Sequence, residues 1–478
     1  MIRLAPVIRL YFPPLRIRLS TGNWVVLMVG LGLVLRLIHF LRLPSVWHDE
    51  AAVLINVLQL DFRQMLGPLL VHEAAPPLFL MAERVMFHLL GDGVLALRLL
   101  PLLASCGSLL LVALIAQRIL SDRAAPWAVA LFAVSDRLLW HSVEAKPYAI
   151  DVFVAAGIIY FYLATRHWPL WKRGLPALPV LPMLIWLSFP ACFIIGGLFV
   201  GQLPALLRSR SWRDWLVSFI LVVAVGCSFL ALASGPVAAQ RDGAMESCWT
   251  QGFSDWQRPW TIPLWAANST LDVFNYAIPS QGWLLAGVIV AGGNFFWRHR
   301  EGRLLAVMLV PMALAFVASL LGKYPYCGMR VLVYMTPAIC LLAAAGLPPS
   351  LEWCRRRSRW AVVALALVLV IPFAHTARRT VFPWPRADNA NACRHVLANW
   401  QPGDRVGFNN WEGQYYFRKQ ADVWFDQTQT GERLWYVAVC PDAAIRSDLL
   451  NGVAPGWVIL ERHEYAGVSV ALFVPEEP

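Results

Sequence analysis

The chain has 478 residues, of which 58% are hydrophobic and only 14% are charged. Soluble globular domains carry about 25% charged residues, so this composition excludes an ordinary soluble enzyme, a disordered chain and a collagen-like chain. The formal net charge of +11 does not indicate nucleic-acid binding. The basic residues lie in short loops between apolar runs, which is the positive-inside pattern of membrane proteins.

The apolar runs predict a polytopic α-helical membrane protein, because one span needs about 20 apolar residues. Residues 1–22 are basic and precede an apolar run, 23–43, that lacks a small-residue cleavage site and therefore predicts a first span. Residues 174–207 are long enough for two short spans that separate at Phe189-Pro190. The remaining runs bring the prediction to about eleven spans: 94–120, 124–143, 147–165, 215–233, 281–296, 304–321, 331–347 and 360–373.

Basic loops between these runs predict the orientation. We expect all of them in the cytoplasm, together with residues 1–22. The apolar segment 77–90 would place Arg118 and Arg123 outside if it crossed the membrane. We therefore predict that it lies at the interface or is re-entrant, within a long first outer loop, 44–93. A transmembrane domain, 23–375, is then followed by an outer C-terminal domain, 376–478.

The C-terminal residues 376–478 have mixed polarity and predict a small α/β domain. We expect a helix at 389–399 and strands at 405–408, 422–425, 434–439 and 457–461. Cys393 and Cys440 both fall in this domain. They either form a disulfide or remain two free buried thiols, and the sequence leaves both possibilities open.

The first outer loop begins Trp47-His48-Asp49-Glu50, directly after the first span. Adjacent carboxylates at a membrane surface are costly unless they are solvated, paired or used in chemistry. Asp49 could simply cap a helix over 50–60. The alternative is that Asp49 and Glu50 belong to an active site.

His72 and Glu73 stand shortly before Pro76-Pro77, where one helix stops and the next begins. An imidazole beside a carboxylate suits Zn²⁺ or Mn²⁺, although an ordinary polar loop explains the pair equally simply. Zinc sites usually take three or four protein ligands. We therefore predict no tightly held metal here and, at most, a weakly bound divalent cation completed by a phosphate and water.

Two further clusters lie at predicted outer ends of spans. Glu144 needs a partner, for which Lys146 is a candidate, while Lys146 and Tyr148 could also act as interfacial anchors. Lys323 and Arg330 flank two tyrosines, an arrangement that suits either a phosphate at the membrane interface or anchoring to lipid headgroups. All four clusters fall on the same predicted face, as transfer from a lipid-linked phosphate donor would require.

A set of short motifs recurs in a family-like order. These are Asp49-Glu50, Pro76-Pro77-Leu78, Gly91 with Ala96-Leu97-Arg98-Leu99, Glu144-Ala145-Lys146-Pro147-Tyr148, and a Tyr-Pro-x-x-Gly-x-Arg turn ending at Arg330. Together they resemble the membrane glycosyltransferases of the C superfamily (GT-C). The nearest groups are the bacterial relatives of the protein O-mannosyltransferases (glycosyltransferase 39) and the aminoarabinose transferases.

The resemblance implies an enzyme of the bacterial inner membrane that moves a sugar, with inversion, from a polyprenyl-phosphate donor to a glycan, lipid or protein acceptor at the periplasmic face. It implies catalytic roles for Asp49 as the base, with Glu50 and Glu144, and donor-phosphate contacts from Arg330, Lys323, Lys146 and Tyr148. Glu73 stands three residues before Pro76, one more than in the aminoarabinose group, which weakens a metal role for His72 and Glu73.

Two other functions remain open. A transporter or flippase for a lipid-linked sugar would also need a groove and cations, but it would be expected to show repeat symmetry and charges deep within spans. We find no internal repeat. A non-catalytic envelope assembly protein would instead use the outer domain to bind its partners.

Overall fold

The computed structural model describes residues 19–241, 243, 247–279, 282–420, 423–424, 433–453 and 456–476. This part of the chain is mostly helical and ends in a small sheet. The α-helices are α1 (Leu19–Leu41), α2 (His48–Gln59), α3 (Pro77–Leu90), α4 (Val94–Leu97), α5 (Leu99–Ile119), α6 (Ala125–Ala133), α7 (Asp136–His141), α8 (Tyr148–Thr165), α9 (Leu170–Leu187), α10 (Ala191–Arg208), α11 (Trp212–Ser234), α12 (Pro236–Gln240), α13 (Ile262–Ala277), α14 (Ala286–Arg298), α15 (Gly302–Leu320), α16 (Thr336–Arg357), α17 (Arg359–Val381), α18 (Asn389–Ala398), α19 (Glu412–Tyr416) and α20 (Ala443–Asn451).

The prediction of a polytopic α-helical membrane protein is confirmed. Eight stretches among the described residues are long and apolar enough to cross a membrane: Asn23–Leu41, Val94–Ile119, Tyr148–Thr165, Ala191–Arg208, Trp212–Gln240, Gly302–Leu320, Arg330–Arg357 and Arg359–Val381. Each coincides with a predicted span. The break at Phe189-Pro190 lies where we expected it, because α9 ends at Leu187 and α10 begins at Ala191.

Three of the eleven predicted spans are not among these eight, and each differs for a physical reason. The run 124–143 is split into α6 and α7 by a break at Val134-Ser135. Helix α9 has two basic residues, Lys172 and Arg173, in its first turn and contains three prolines. Helix α14 has only 13 residues. The exact number of spans therefore stays a prediction. Segment 77–90 is a helix of 14 residues, as expected, and its interfacial position also stays a prediction.

Helices α14 and α16 cross at two glycines that leave room for backbone contact. A Cβ added at Gly292 would lie 1.9 Å from the carbonyl oxygen of Leu342. One added at Gly346 would lie 1.8 Å from that of Val288. Because no side chain fits at either position, the two backbones can approach closely, as in other small-residue contacts between membrane helices.

The predicted small α/β domain is confirmed at the C-terminus. Its sheet has the order β2-β1-β3-β5-β4, with β1 (Arg405–Phe408) parallel to β2 (Val423–Trp424) and β3 (Leu434–Val439), and with β4 (Trp457–Tyr465) and β5 (Val468–Pro475) antiparallel. Helix α18 packs on one face of the sheet, and α20 covers the other. Cys393 and Cys440 are both free thiols.

The sequence missed part of this domain. Strand β5 was not predicted, and β4 continues beyond residue 461, so the two strands form a hairpin. The turn is made possible by Gly467, whose φ of +70° lies in the left-handed region. Of the strand predicted at 422–425, residues 422 and 425 lie outside the described residues.

The C-terminal domain rests directly on the first loop. Arg418 forms an ion pair with Asp92 at 2.7 Å, and the hydroxyl of Tyr416 accepts a hydrogen bond from the backbone N–H of Val46 at 3.0 Å. Arg386 donates to the carbonyl of Ser45 at 3.1 Å. These contacts hold the domain beside the start of α2, where the candidate site lies.

The glycine crossing yields a test of the helix packing. We expect Gly292→Ala to destabilise the protein by about 1–3 kcal/mol, because the new methyl group must push the α16 backbone away. Thermal unfolding in detergent measures the effect. Gly293→Ala is the matched control, since a Cβ there meets nothing within 4 Å. The control should unfold at the same or a slightly higher temperature than the native protein. Equal unfolding temperatures for the two variants would contradict the close backbone contact between α14 and α16.

Candidate active site

One cavity of about 720 Å³ lies between the ends of several helices and the C-terminal domain. It is lined by the start of α2, the loop at 72–76, the start of α8, the α9–α10 break, residues within 237–241 and 248–253, the turn at 322–331 and Trp411. Seven of the nine site residues predicted from the sequence line it: Asp49, His72, Glu73, Lys146, Tyr148, Lys323 and Arg330. Four separate segments of the chain are thereby brought together.

Asp49 and Arg330 form an ion pair within the cavity, with 2.5 Å between Oδ2 and Nη1. The Arg330 guanidinium also lies near the rings of Tyr148 and Trp249, at 6.0 and 5.3 Å from their centroids. Its Nε is buried without a hydrogen-bond partner among the described residues. The Arg330 side chain as a whole is about one-quarter exposed, so the guanidinium is accessible to a ligand in the cavity.

The capping role considered for Asp49 is wrong. Helix α2 begins at His48, its N-cap is Trp47, and no side chain caps it. Asp49 lies in the first turn, where a carboxylate still interacts favourably with the helix dipole. Its side chain is one-fifth exposed and faces the cavity instead of the backbone.

Lys146 pairs with Glu73 at 2.6 Å, not with Glu144 as considered from the sequence. Both side chains are largely buried. The chain reaches Glu73 through Val71 and His72, whose φ angles of 56° and 53° are in the left-handed region. Such a conformation is uncommon for non-glycine residues and costs about 1–3 kcal/mol each, which is typical of functional sites.

Glu50 does not line the cavity. It is fully buried and accepts hydrogen bonds from Nε and Nη2 of Arg98, both at 2.6 Å, and from the backbone N–H of Ala145 at 2.9 Å. Arg98 also donates to the carbonyl of Pro44 at 2.8 Å. This bidentate pair accounts for the Ala96-Leu97-Arg98-Leu99 motif, because Arg98 ties the start of α5 to α2.

Glu144 is also buried, behind the cavity wall. It accepts hydrogen bonds from the indoles of Trp47 at 3.0 Å and Trp140 at 2.9 Å, and it pairs with His141 at 2.5 Å. Burial alone would raise the pKa of Glu144. His141, and then Arg386, reverse this and lower the pKa to about 2, so the carboxylate stays ionised.

A second cavity, of about 680 Å³, lies across the turn at 327–330. Its polar lining includes Asp136, Arg137, Asp272, Tyr276 and His375. The Tyr276 hydroxyl is 2.7 Å from Nε2 of His141, so this cavity contacts the group that holds Glu144. The 327–330 turn thus separates two spaces large enough for two reactants.

Several contacts at the site were missed by sequence reasoning. Trp411 of the C-terminal domain stacks on His48, with 4.1 Å between ring centroids, and Glu412 lies 3.5 Å from the same imidazole. Arg386 lies over the Trp140 ring at 4.1 Å. No local pattern marked these residues, because their partners are more than 200 positions away in the chain.

No protein-family model and no curated protein matches this sequence. Solved structures do match the fold. The chain is 15% identical to ArnT from Cupriavidus metallidurans in the apo state, covering 95% of this chain and 98% of that one, with a TM-score of 0.53. For the same protein bound to undecaprenyl phosphate the identity is 14%, the coverage is the same and the TM-score is 0.54.

The oligosaccharyltransferase of Archaeoglobus fulgidus, in complex with Zn and sulfate, is 12% identical, with a TM-score of 0.51. The alignment covers 84% of this chain and 62% of that one. Both neighbours belong to the GT-C superfamily. The predicted fold is therefore confirmed: this is a GT-C fold with a small C-terminal sheet domain.

Glu83 on α3 gives a pH-dependent prediction. It is fully buried, and neither carboxylate oxygen has a hydrogen-bond partner among the described residues. Burial, reinforced by the nearby charge of Glu50, raises the pKa of Glu83 well above 4.5. A group whose folded-state pKa is raised destabilises the fold increasingly as the pH rises above its unfolded value.

Glu83→Gln should therefore raise the melting temperature in detergent at pH 8, and this gain should shrink as the pH falls toward 4.5, the ordinary value. Glu352→Gln, at an exposed position, serves as the control and should have no such pH dependence. If Glu83→Gln raised the melting temperature equally at both pH values, the Glu83 carboxyl would not have the raised pKa on which this prediction rests.

Proposed function

We propose that this protein is an integral-membrane glycosyltransferase that moves a sugar from a polyprenyl-phosphate donor to an acceptor outside the cytoplasm. The observation that carries the proposal is the cavity in which the partly exposed Arg330 faces Asp49. A protein with this fold has been crystallised with undecaprenyl phosphate, which supports the class of donor. The sugar could be a hexose or a pentose, and the acceptor a glycan, a lipid or a protein.

The donor phosphate fits the cationic side of the cavity. Four cationic side chains line it, those of Lys146, Arg241, Lys323 and Arg330, against three carboxylates. Arg330 offers bidentate contacts, and Lys323 and Lys146 contribute point charges. The Tyr148 hydroxyl adds a neutral donor. Aromatic and aliphatic residues at the same cavity, Phe189, Val237 and Phe253, suit the first isoprene units of the donor.

Asp49 is proposed as the general base. When the donor phosphate forms an ion pair with Arg330, the Asp49 carboxylate loses that partner. Asp49 is then free to accept the proton of the acceptor hydroxyl. The acceptor oxygen then bonds to the anomeric carbon while the bond from that carbon to the phosphate oxygen breaks. Direct displacement inverts the configuration, and Arg330 stabilises the charge that remains on the polyprenyl phosphate.

Glu50 and Glu144 are better described as positioning residues. Glu50 fixes α2 through Arg98, and Glu144 holds Trp47, two residues before Asp49. Both carboxylates are buried and already hydrogen-bonded. We expect them to act on the reaction through the placement of Asp49 and not by contact with the sugar.

For His72 and Glu73 we propose at most a weakly bound divalent cation. Glu73 is engaged by Lys146, so the two residues alone form a poor site. A donor phosphate could release Glu73 by attracting Lys146 and then complete a Mg²⁺-type coordination with water. This would be a weak, donor-assisted site, tested by activity after chelation and readdition of Mg²⁺, Mn²⁺ or Zn²⁺.

The proposed orientation places residues 1–22 in the cytoplasm and residues 376–478 in the periplasm of a bacterial inner membrane. A reporter active only outside the cytoplasm should give signal when fused at Pro478 and none when fused at Arg357, because the basic loops stay inside. The reverse result would move the cavity to the cytoplasmic face and overturn the proposed donor access.

Asp49→Asn should abolish transfer while leaving donor binding largely intact. General base catalysis contributes about 10²–10⁴-fold, so a loss of that order is expected in turnover with a lipid-linked donor. The matched control is Asp61→Asn, an exposed carboxylate in the same outer loop. Near-normal turnover in Asp49→Asn would exclude a base role. A native protein that moves the donor across vesicles without any transfer would favour the flippase alternative.

Arg330 should act on the donor. Arg330→Ala is expected to raise the apparent KM for the polyprenyl-phosphate sugar strongly, and Arg330→Lys to restore only part of the loss, because lysine cannot make the bidentate contact. Arg258→Ala, an exposed arginine in the same outer region, is the control. An unchanged donor KM in both Arg330 variants would leave headgroup anchoring as its function.

A further inference from the structure

The C-terminal domain carries a cluster of metal-ligating side chains away from the donor cavity. His395 lies on α18, and Glu461 and His463 lie on β4. One ligand atom from each of the three lies within 4.8 Å of the other two. Among the described residues, no other group of three His, Cys, Asp or Glu side chains meets this distance.

The fold explains why these residues meet. Residues two apart on a strand point to the same face, so Glu461 and His463 share one face of β4. The pairing of β4 with β5 shifts register between Ile459 and Glu461. This shift determines which side chains after it point to each face of the sheet. Both ligands are half-buried, while Leu460 and Arg462 between them are exposed.

Helix α18 presents His395 to that face. Its neighbours Ala392, Cys393 and Val396 are buried against the sheet, and His395 lies beside Trp435, with 5.8 Å between ring centroids. The His395 and His463 rings are 4.1 Å apart. Imidazole nitrogens are common ligands of transition metals, and two of them are brought together here.

The Nε2 atom of His395 is buried and has no hydrogen-bond partner among the described residues. A buried polar atom without a partner costs about 1–3 kcal/mol, so such an atom needs an explanation. A metal ion would accept this lone pair directly.

We infer that the C-terminal domain binds a divalent cation of the Zn²⁺ type through His395, Glu461 and His463. Two imidazoles and one carboxylate are a ligand set that Zn²⁺ prefers, and water would occupy the fourth position. Zn–N bonds of about 2.0–2.1 Å require ligand atoms about 3.4 Å apart in a tetrahedron. The three ligand atoms, which lie within 4.8 Å of one another, would therefore have to move closer together on binding.

The ion would link α18 to β4 and stabilise the domain. The first residues of α18 also touch the segment that leads to the donor cavity: Asn389 donates to the carbonyl of Val46 at 3.4 Å, and the backbone N–H of Ala390 donates to the Ser45 hydroxyl at 3.3 Å. An ion that holds α18 in place would therefore also stabilise the position of the residues just before α2. The inference itself does not depend on the proposed glycosyl transfer.

The test is Zn²⁺ binding to the tag-free, full-length protein in detergent, measured by competition with a zinc indicator. We expect one ion per chain. His395→Ala and His463→Gln should each weaken binding by more than the roughly 10–100-fold that follows loss of an outer-sphere partner. Zn²⁺ should raise the melting temperature of the native protein and not that of either variant.

Two controls separate this site from other histidines. His299→Ala, at an exposed position remote from the domain, should bind Zn²⁺ like the native protein. His72→Ala removes the histidine of the donor cavity and should also leave the ion in place. Comparison of the metal-free melting temperatures identifies any variant that fails to fold. Three results would overturn the inference. They are undiminished Zn²⁺ binding by well-folded His395→Ala and His463→Gln, loss of binding in His72→Ala alone, and no Zn²⁺ binding to the native protein.

Discussion

The buried ion pair between Glu50 and Arg98 is the interaction on which the site depends. It joins α2 to the start of α5, Glu50 also receives the N–H of Ala145, and Arg386 approaches the same carboxylate at 3.6 Å. Breaking a buried pair costs about 3–5 kcal/mol because the remaining charge loses its partner. Four segments that are distant in the chain are thereby fixed around one carboxylate. Asp49, the next residue, is held at the cavity by that arrangement.

The cavity itself is organised by charge pairs that a ligand can exchange. Asp49–Arg330 and Glu73–Lys146 each unite a carboxylate and a cation at its wall. In the proposed mechanism, a donor phosphate that binds the two cations competes with both carboxylates and so frees Asp49 to act as the base. The proposal therefore ties release of the base to the presence of the donor. A cavity with the same cations and no carboxylates would also bind a lipid phosphate, but phosphate binding would then not be coupled to release of a base.

Much of the fold was predictable because membrane spans depend on composition within short windows. The same holds for the grouping of Asp49, Lys146, Lys323 and Arg330 on one face, which followed from where charged residues interrupt apolar runs. The partner choices were not predictable. Glu144 takes His141 and two indoles instead of Lys146, and Glu50 is buried instead of exposed to substrate, because both outcomes depend on packing between distant segments. Strand β5 was missed for a local reason, since Tyr465-Ala466-Gly467 gives only a weak turn signal.

The C-terminal domain is part of the site and not an appended module. Its Trp411 covers His48, the residue before Asp49, and Glu412 lies against the same imidazole. Tyr416 and Arg418 hold the first loop from the outside. Because these contacts reach residues 46, 48 and 92, the first loop cannot move without the sheet domain. One wall of the cavity is therefore set by the helices and the other by the sheet domain. If the proposed transfer is correct, this division would let the helical wall keep the donor-phosphate contacts while the wall formed by the sheet domain varies with the acceptor.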